Sequence, residues 1–280
     1  MLDPTDWFTE IVAPAGSAFS LKIKAKIHEE QTPYQQIAIY DTEHFGRLMV
    51  IDGCTMLSTR DNFLYHEMMT HPVLFTHQAP RDLCIIGGGD CGTLCETLKH
   101  PDVATVVQID IDERVTRLAE RYFPELTASN QDPRATVLFA DGIRWIQQRE
   151  ANSLDVIIID STDPVGPAAG LFSVDFYRQC WRALRPGGLF VQQSESPFYH
   201  LDIMRNIAHE LQAAGFLDPT PIFFPQIIYP SGWWSATMAA KQRGCGDWRA
   251  ADAAAKPFST RYYSAAIHQA ALVQPPFFSD

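Results

Sequence analysis

Residues 83–92 read LCIIGGGDCG, and this stretch decides the fold. Four apolar residues, 83–86, are followed by three glycines and Asp90. A fourth glycine, Gly92, lies two positions after Asp90. A continuous apolar run is typical of a strand buried on both faces, and glycines let the backbone turn tightly and approach a ligand closely. Gly87 to Gly92 also fits the pattern G-x-G-x-x-G, with Asp110 about 20 residues further on. Taken alone, this pattern suits NAD and ligands of the S-adenosylmethionine type about equally.

Downstream of this turn, apolar runs and helical segments alternate. The alternation predicts a parallel sheet covered by helices on both faces, a doubly wound α/β domain that begins near Arg60. A pair of strands around a Pro-Ser-Gly turn is predicted within 225–238. The other predicted strands are 83–86, 104–109, 136–139, 155–159 and 189–192, and the predicted helices are 60–74, 93–100, 113–123, 143–150, 173–184 and 200–214.

Upstream, the hydrophobic pattern has a period of two. Residues 19–27, 36–40 and 47–51 alternate apolar and polar side chains, with turn-forming residues between them. This pattern predicts antiparallel strands, and so a small N-terminal β-domain at 1–59 followed by the α/β domain at 60–280. A β-meander of roughly 60 residues is too small to be stable alone, so we expect it to pack on the larger domain or on a second subunit.

Composition excludes several classes of protein. The 280 residues carry 22 basic and 33 acidic side chains, a net charge of −11, which disfavours nucleic acid as a partner. No apolar run reaches the 18 or more residues that a membrane span needs, and the first ten residues show no signal-peptide pattern. Six cysteines lack the spacing of a disulfide framework or a zinc site. We therefore expect a cytoplasmic protein with reduced thiols, no metal and no membrane partner.

Acidic residues follow the predicted strands, at the edge of the sheet where ligands of open α/β folds bind. Asp110 and Asp160 end two strands, and Asp141 and Asp90 follow two others closely. Asp90 lies at the start of a helix, where backbone N–H groups favour an anion. A carboxylate there repels a pyrophosphate or a methionine carboxylate and suits an ammonium group. The alternative is that Asp90 only caps its own helix.

The loop DSTDPVGP at 160–167 brings a second acidic residue close to Asp160. As the last residue of a buried strand, Asp160 is a candidate to accept a proton from an amine. Asp163 is either a second ligand-facing carboxylate or the Asx turn that ends the strand. Trp7, Tyr65 and Tyr229 lie in segments that can wall the crevice, since aromatic faces beside carboxylates bind alkylammonium groups.

Together these segments resemble the spermidine synthase (polyamine aminopropyltransferase) family over nearly the whole chain. The resemblance implies a methyltransferase-like Rossmann domain, a small N-terminal β-domain and a homodimer. It rests on Trp7-Phe-Thr-Glu, Tyr34-Gln-Gln-Ile, Phe45-Gly-Arg-Leu-Met-Val-Ile-Asp-Gly, Tyr65-His-Glu-Met-Met-Thr-His-Pro, Gly87-Gly-Gly-Asp, Asp141-Gly, Asp160-Ser-Thr-Asp-Pro-Val-Gly-Pro, Leu171-Phe, Tyr229-Pro-Ser-Gly, Arg261-Tyr-Tyr and Ile267-His268.

The resemblance also implies the site. Decarboxylated S-adenosylmethionine is the implied co-substrate, with no prosthetic group. Asp160 is the implied general base, and Asp90 with Asp163 is implied to hold the donor ammonium. The rest of the donor would lie on Gln35, Gly87, Gly88, Gly89, Asp110, Asp141, Gly142 and Pro167. The acceptor diamine would lie along Tyr65, His66, Asp160, Ser161, Thr162, Asp163 and Tyr229, with Trp7 and Glu195 at the far end.

Three residues depart from the family pattern. Cys91 replaces a glycine, Cys95 replaces a common arginine, and Asp110 stands where glutamate is usual. Putrescine is the expected acceptor, because Tyr65-His66-Glu67 and the 160–167 loop look like those of ordinary spermidine synthases. Cadaverine, agmatine and spermidine remain alternatives. Other functions left open are an amine methyltransferase that uses S-adenosylmethionine, a non-catalytic polyamine sensor and, least favoured, a nicotinamide dehydrogenase.

Overall fold

Five antiparallel strands form the N-terminal sheet of the computed structural model, which describes residues 2–164, 166–242 and 244–278. The strands lie in chain order, and the three predicted segments fall within the second, third and fourth of them. The first strand was not predicted; it pairs along the edge of the second. The five are β1 Trp7–Val12, β2 Ser17–Gln31, β3 Gln36–Thr42, β4 Arg47–Ile51 and β5 Cys54–Ser58.

A seven-stranded sheet forms the centre of the rest of the chain. Its order is β11-β12-β10-β9-β6-β7-β8, and the strands from β6 to β10 run parallel to one another. The last two strands run antiparallel at one edge. The strands are β6 Asp82–Gly87, β7 Thr105–Asp110, β8 Ala135–Phe139, β9 Leu154–Asp160, β10 Leu184–Gln193, β11 Leu217–Pro225 and β12 Trp233–Ala240.

Helices cover both faces of this sheet, as the alternation of the sequence predicts. Met68 and Leu94 belong to the core on one face, and Ile146, Phe176 and Ile207 belong to the core on the other. Within the described ranges, every helix is too short or too polar to cross a membrane. The helices are α1 Asn62–Thr76, α2 Gly92–Leu98, α3 Glu113–Tyr122, α4 Gly142–Gln148, α5 Val174–Ala183, α6 Leu201–Ala213, α7 Ala250–Ala254 and α8 Ala265–Ala271.

The last pair of strands differs from the sequence prediction. The first of them, β11, ends at Pro225, so residues 226–232 form a connecting loop rather than two strand ends around a tight turn. Pro219 and Pro221 lie inside β11 and argue against a strand, but β11 is an edge strand, where proline is tolerated. The loop buries Ile228 in the core of the N-terminal sheet and thereby ties the two sheets together.

A buried carboxylate on α1 anchors the C-terminal segment. The side chain of Glu67 accepts hydrogen bonds from the backbone N–H groups of Arg261, Tyr262 and Tyr263, at 2.7, 2.9 and 2.7 Å. Three donors satisfy a carboxylate that is otherwise costly to bury. The Arg-Tyr-Tyr motif of the sequence is therefore a docking segment for the helix that carries Tyr65 and His66.

The strand order reverses between β6 and β9, and the crevice forms at this switch point. Gly87 and Asp160 end these two strands as paired residues. Gly87 has a φ of +84°, and a Cβ atom on it would overlap the backbone carbonyl of Asp160. Only glycine fits this position. Because it has no side chain, the turn at 87–89 lies directly beside Asp160, the candidate general base.

We predict that Gly87→Ala lowers the free energy of unfolding far more than Gly53→Ala. Both glycines have nearly the same positive φ, but a Cβ on Gly53 meets nothing within 4 Å. Gly53→Ala should therefore show the backbone cost alone, about 1–2 kcal/mol. Gly87→Ala adds overpacking of about 1–3 kcal/mol. Urea unfolding of the two variants measures the difference, and equal losses would contradict the close approach of β6 and β9.

Candidate active site

A cavity of ≈ 170 Å³ opens at the carboxyl ends of β6, β7, β8 and β9. The N-terminal sheet closes one side through Met49 and Ile51. Ile109, Ile143 and Leu171 add apolar surface on the other side. Most of the predicted site residues line this cavity: Gln35, Tyr65, His66, Gly87, Gly88, Gly89, Asp90, Asp110, Asp141, Gly142, Asp160, Ser161, Thr162 and Tyr229.

A second, smaller cavity of ≈ 40 Å³ adjoins the first. Tyr65, Ser161, Thr162 and Tyr229 line both cavities, so the two meet at these residues. Asp163 lines only the second cavity, so the structure separates it from Asp90. Its other walls include Glu10, Cys54, Gln193, Pro230 and Trp234.

Asp160 lines the first cavity next to Ser161, which lines both cavities, and its carboxylate is held by two hydroxyl donors. Tyr65 donates to Oδ1 at 2.7 Å, and Thr93 donates to Oδ2 at 2.6 Å. Burial raises the pKa of Asp160, and the charge of Asp90 raises it further. A fixed, buried carboxylate with a raised pKa is equipped to orient an amine and take a proton from it.

His66 and Asp90 form a buried pair beside Asp160. Nε2 of His66 lies 3.2 Å from Oδ1 of Asp90, and Oδ1 also accepts the N–H of Gly92 at 2.6 Å. Burial raises the pKa of Asp90, but the charge and hydrogen bond of His66 outweigh it, so the pKa lies below the usual value. The N-cap of α2 is Cys91, so Asp90 lies one residue before the cap; its side chain accepts the first N–H of the helix and also faces the cavity.

Asp110 ends β7 with its carboxylate in the first cavity. Its Oδ1 accepts the N–H of Asp112 at 2.8 Å, and burial raises its pKa to about 6. Gln35 comes from the N-terminal sheet side and donates to Oδ2 of Asp112 at 3.0 Å. Gln35 and Asp110 are thereby linked through Asp112 at the same wall of the cavity.

Asp141 and Gly142 begin α4 at the apolar end of the cavity. Oδ1 of Asp141 accepts the N–H groups of Ile143 and Arg144 at 2.9 and 3.2 Å, so it is the N-cap of the helix. A Cβ on Gly142 would overlap the side chain of Ile86. The side chain of Pro167, which the resemblance implies at this end, lies outside the described part of the chain.

The second cavity is strongly acidic. Burial raises the pKa of Asp163 to about 8, and the nearby Glu195 raises it as well. Oε2 of Glu195 lies 2.9 Å from Nδ1 of His200. Glu10 is also largely buried; its Oε2 accepts the N–H and hydroxyl of Thr55, each at 2.7 Å. Burial of three acidic groups around so small a space favours a cationic ligand.

Aromatic rings line the passage between the cavities. The ring centroids of Tyr65 and Tyr229 are 6.2 Å apart, and those of Tyr229 and Trp234 are 4.5 Å apart. Such faces stabilise alkylammonium groups. Of the two residues implied at the far end, Glu195 neighbours Asp163, whereas Trp7 is half-buried on β1 and is not among the described residues that line either cavity.

Sequence reasoning missed Glu10, Thr93 and Trp234. Glu10 stands at the end of the quoted Trp7-Phe-Thr-Glu motif, yet only the fold reveals that this strand borders the second cavity. Thr93 lies three residues after Asp90 in the first turn of α2. A hydroxyl so close to the glycine turn is the one local signal that could have identified Thr93.

Cys91, the departure in the glycine turn, leaves the cavity free. Its φ is +68°, a conformation that a non-glycine residue adopts at a cost. The side chain is buried, and its Sγ lies 3.5 Å from Nε2 of Gln108. Cys91 is absent from the described lining of both cavities. The extra bulk is accommodated in the core, away from the ligand space.

Comparison with known proteins agrees with this geometry. Residues 62–246 match the model of the spermine/spermidine synthase domain, and residues 6–59 match that of the spermidine synthase tetramerisation domain. A polyamine aminopropyltransferase of Methylococcus capsulatus is 63% identical over 283 residues, covering 100% of this chain and 98% of the relative. One of Thioalkalivibrio sulfidiphilus is 63% identical over 278 residues, covering 99% and 97%.

Solved structures show the same similarity. A spermidine synthase in complex with the transition-state analogue AdoDATO superposes with a TM-score of 0.93 at 33% identity, covering 97% of this chain and 92% of the other. Spermidine synthase from Thermotoga maritima gives a TM-score of 0.91 at 33% identity with the same coverage. The predicted fold class, a Rossmann-like α/β domain with an N-terminal antiparallel sheet, is confirmed. The chain belongs to the spermine/spermidine synthase family and is a polyamine aminopropyltransferase enzyme.

Proposed function

We propose that the enzyme transfers the aminopropyl group of decarboxylated S-adenosylmethionine to putrescine, giving spermidine and methylthioadenosine, with Asp160 as the general base. The observation that carries this proposal is the position of Asp160. Its carboxylate lines the larger cavity and accepts a hydrogen bond from Tyr65, which also lines the small cavity of acids and aromatic rings. A nucleophilic amine and a nucleoside donor can meet only at such a junction.

The first cavity has the features that the donor requires. Asp110 supplies a carboxylate for ribose hydroxyls, and the apolar walls beside Asp141 suit an adenine ring. Asp90 gives the aminopropyl ammonium a carboxylate partner whose side chain is only 18% exposed. The AdoDATO complex of the solved spermidine synthase, a relative at 33% identity, supports a donor-derived ligand in this fold.

The second cavity has the features that a short diamine requires. An alkylamine has a pKa near 10, like lysine, so it enters as an ammonium and cannot attack until it loses a proton. Asp160 takes that proton while the acids around Asp163 hold the distant ammonium. The neutral amine then attacks the carbon next to the sulfonium in line, and methylthioadenosine leaves as the sulfur loses its charge. Positioning supplies most of the rate enhancement, because charge disappears during the transfer.

An amine methyltransferase is less consistent with these residues. Intact S-adenosylmethionine carries a carboxylate on the arm that Asp90 faces, and like charges in a buried crevice repel strongly. A polyamine sensor would need the binding groups but not a hydroxyl-held carboxylate at the junction. Transfer of a labelled methyl group would favour the first alternative, and tight binding without turnover would favour the second.

We also propose a homodimer or larger oligomer built through the N-terminal domain, with the domains divided at 1–59 and 60–280. Residues 6–59 match a tetramerisation domain. The edge strand β1 leaves Ile11 72% exposed, an apolar side chain that a subunit contact would cover. Mass measurement by light scattering tests this proposal, and a monomer at micromolar concentration would contradict it.

The first prediction concerns the acceptor. In a panel of putrescine, cadaverine, agmatine and spermidine, offered with decarboxylated S-adenosylmethionine, putrescine should give the highest kcat/KM. Each methylene that the small second cavity cannot accommodate costs about 1–3 kcal/mol, or roughly 10- to 200-fold. Mass spectrometry of the polyamine and of methylthioadenosine reads the result. Turnover with none of the amines would overturn the proposed function, and preference for another amine would overturn the acceptor.

The second prediction concerns the base. Asp160→Asn should lower kcat by about 10²- to 10⁴-fold, the usual contribution of a general base, while the KM for the donor changes little. Asp175→Asn is the matched control, because Asp175 is an exposed residue of α5 that pairs only with Arg178 in the structure's described part. A variant of Asp160 that keeps more than a tenth of the activity would assign the proton to another group.

The third prediction concerns pH. A base works only when deprotonated, so kcat should fall as pH drops through the raised pKa of Asp160. The hydrogen bond from Thr93 stabilises the carboxylate and lowers that pKa. Thr93→Val should therefore shift the acidic limb of the kcat profile to higher pH, and Thr93→Ser, which keeps the hydroxyl, should restore it. An unshifted limb in Thr93→Val would show that the limb does not report on Asp160.

A further inference from the structure

His66 is the one basic side chain that the described structure pairs with Asp90. It is 2% exposed, and its Nε2 lies 3.2 and 3.3 Å from the two oxygens of Asp90. The ring also fits against Gly92, where a Cβ atom would overlap it. His66 is thus fixed in place, with its charge directed at the carboxylate that the proposed donor ammonium needs.

Among the described residues, none is a hydrogen-bond partner for the other ring nitrogen of His66. Nδ1 is buried without a hydrogen bond. Charged imidazole carries a proton on both nitrogens, so its Nδ1–H is an unsatisfied buried donor, which is costly. Burial lowers the pKa of His66, but the charge and hydrogen bond of Asp90 outweigh it and raise the pKa above the usual value. The charge of the ring therefore depends chiefly on Asp90.

Other ionisable groups surround the pair. Asp160 at the end of β9 and Glu96 on α2 both favour a charged His66. Tyr65 on α1 packs its ring 5.7 Å from that of His66 and stays neutral, because burial raises its pKa well above 10. Asp160 and Asp163 have raised pKa values themselves and can release protons when a cation binds. Any test must separate these protons from that of His66.

We infer that His66 is an internal counter-cation that the donor ammonium replaces at Asp90, so that donor binding expels a proton from His66. This inference rests on the proposed function. The donor amine, with a pKa near that of lysine, arrives already charged. Once it neutralises Asp90, a second cation in the same buried site loses its partner and gains a repulsive neighbour, so the imidazole releases its proton to solvent.

This exchange has two consequences for the enzyme. In the free state, the charged His66 pairs with the carboxylate of Asp90, which is costly to remove from water without a partner. In the bound state, His66 is neutral and no longer opposes the approach of a second cation, the acceptor, to the neighbouring Asp160. His66 is in this sense a positioning residue that prepares the site for each substrate in turn.

Proton release can be counted by titration calorimetry in buffers of different ionisation enthalpy. The two ligands are decarboxylated S-adenosylmethionine and methylthioadenosine, which lacks the ammonium. At pH 6.5 a histidine with a raised pKa carries more than about half a proton. The donor should therefore release at least about half a proton per subunit more than methylthioadenosine does, and His66→Gln should remove that part of the excess.

Three further variants make the count specific. Asp160→Asn should retain most of the proton release from His66, because Asp90 contributes more than Asp160 to the charge of the ring. His209→Gln, which changes an exposed histidine of α6, should match the wild type. Methylthioadenosine binding by His66→Gln reports that the variant is folded, and His66→Asn is the second variant if it is not. As pH rises, His66 of the wild type loses its proton before the donor binds, so binding no longer has to expel it. The donor affinity of the wild type should therefore rise more steeply with pH than that of His66→Gln.

Equal proton release by the wild type and the His66 variants would overturn the inference and assign the protons to Asp160 or Asp163. Equal release by the two ligands would overturn it as well. Neither result affects turnover, so both are distinguishable from failure of the proposed function, which would appear as no product in the amine panel. If the donor does not bind at all, the proposed function and this inference fail together.

Discussion

The repulsion among buried carboxylates at one edge of the sheet is the constraint on which the site depends. Asp90, Asp110 and Asp160 meet there because the strands before them end at a common edge and Gly87 lets β6 and β9 approach closely. Each carboxylate has a different compensation: His66 for Asp90, a backbone N–H for Asp110 and two hydroxyls for Asp160. Those differences set their pKa values apart, and so assign different chemistry to similar side chains.

Much of this arrangement was predictable from the sequence, for a physical reason. Buried parallel strands are continuous apolar runs, and the runs at 83–86 and 155–159 stop directly before glycine and aspartate. Strand ends in a parallel sheet share an edge, so the meeting of Asp90, Asp110 and Asp160 follows from the pattern. The capping role of Asp141 was not predicted, although an aspartate directly before a helix is the usual local signal for one.

The features that the sequence did not predict depend on contacts between residues far apart in the chain and on the direction in which side chains point. Spacing gave no way to see that Asp163, three residues after Asp160, lines a different cavity from Asp90. Glu10 enters that cavity only because Thr55, 45 residues later, binds its carboxylate. The predicted strand pair at 225–238 missed β11, which lies before it and contains two prolines, because whether a strand lies at a sheet edge that tolerates proline is a property of the whole sheet.

The separation of the acids into two cavities bears on how one site can manage two cationic substrates. A donor and an acceptor that both carry ammonium groups repel each other, and a single acidic pocket would bind either one twice. Here Asp90 and Asp160 line the larger cavity and Asp163 lines the small one, and Ser161, which directly follows Asp160, lines both. The raised pKa of Asp163, to about 8, means that the second cavity carries less charge until a cation enters it. The negative charge of the second cavity therefore increases when a cationic substrate binds there, rather than being constant.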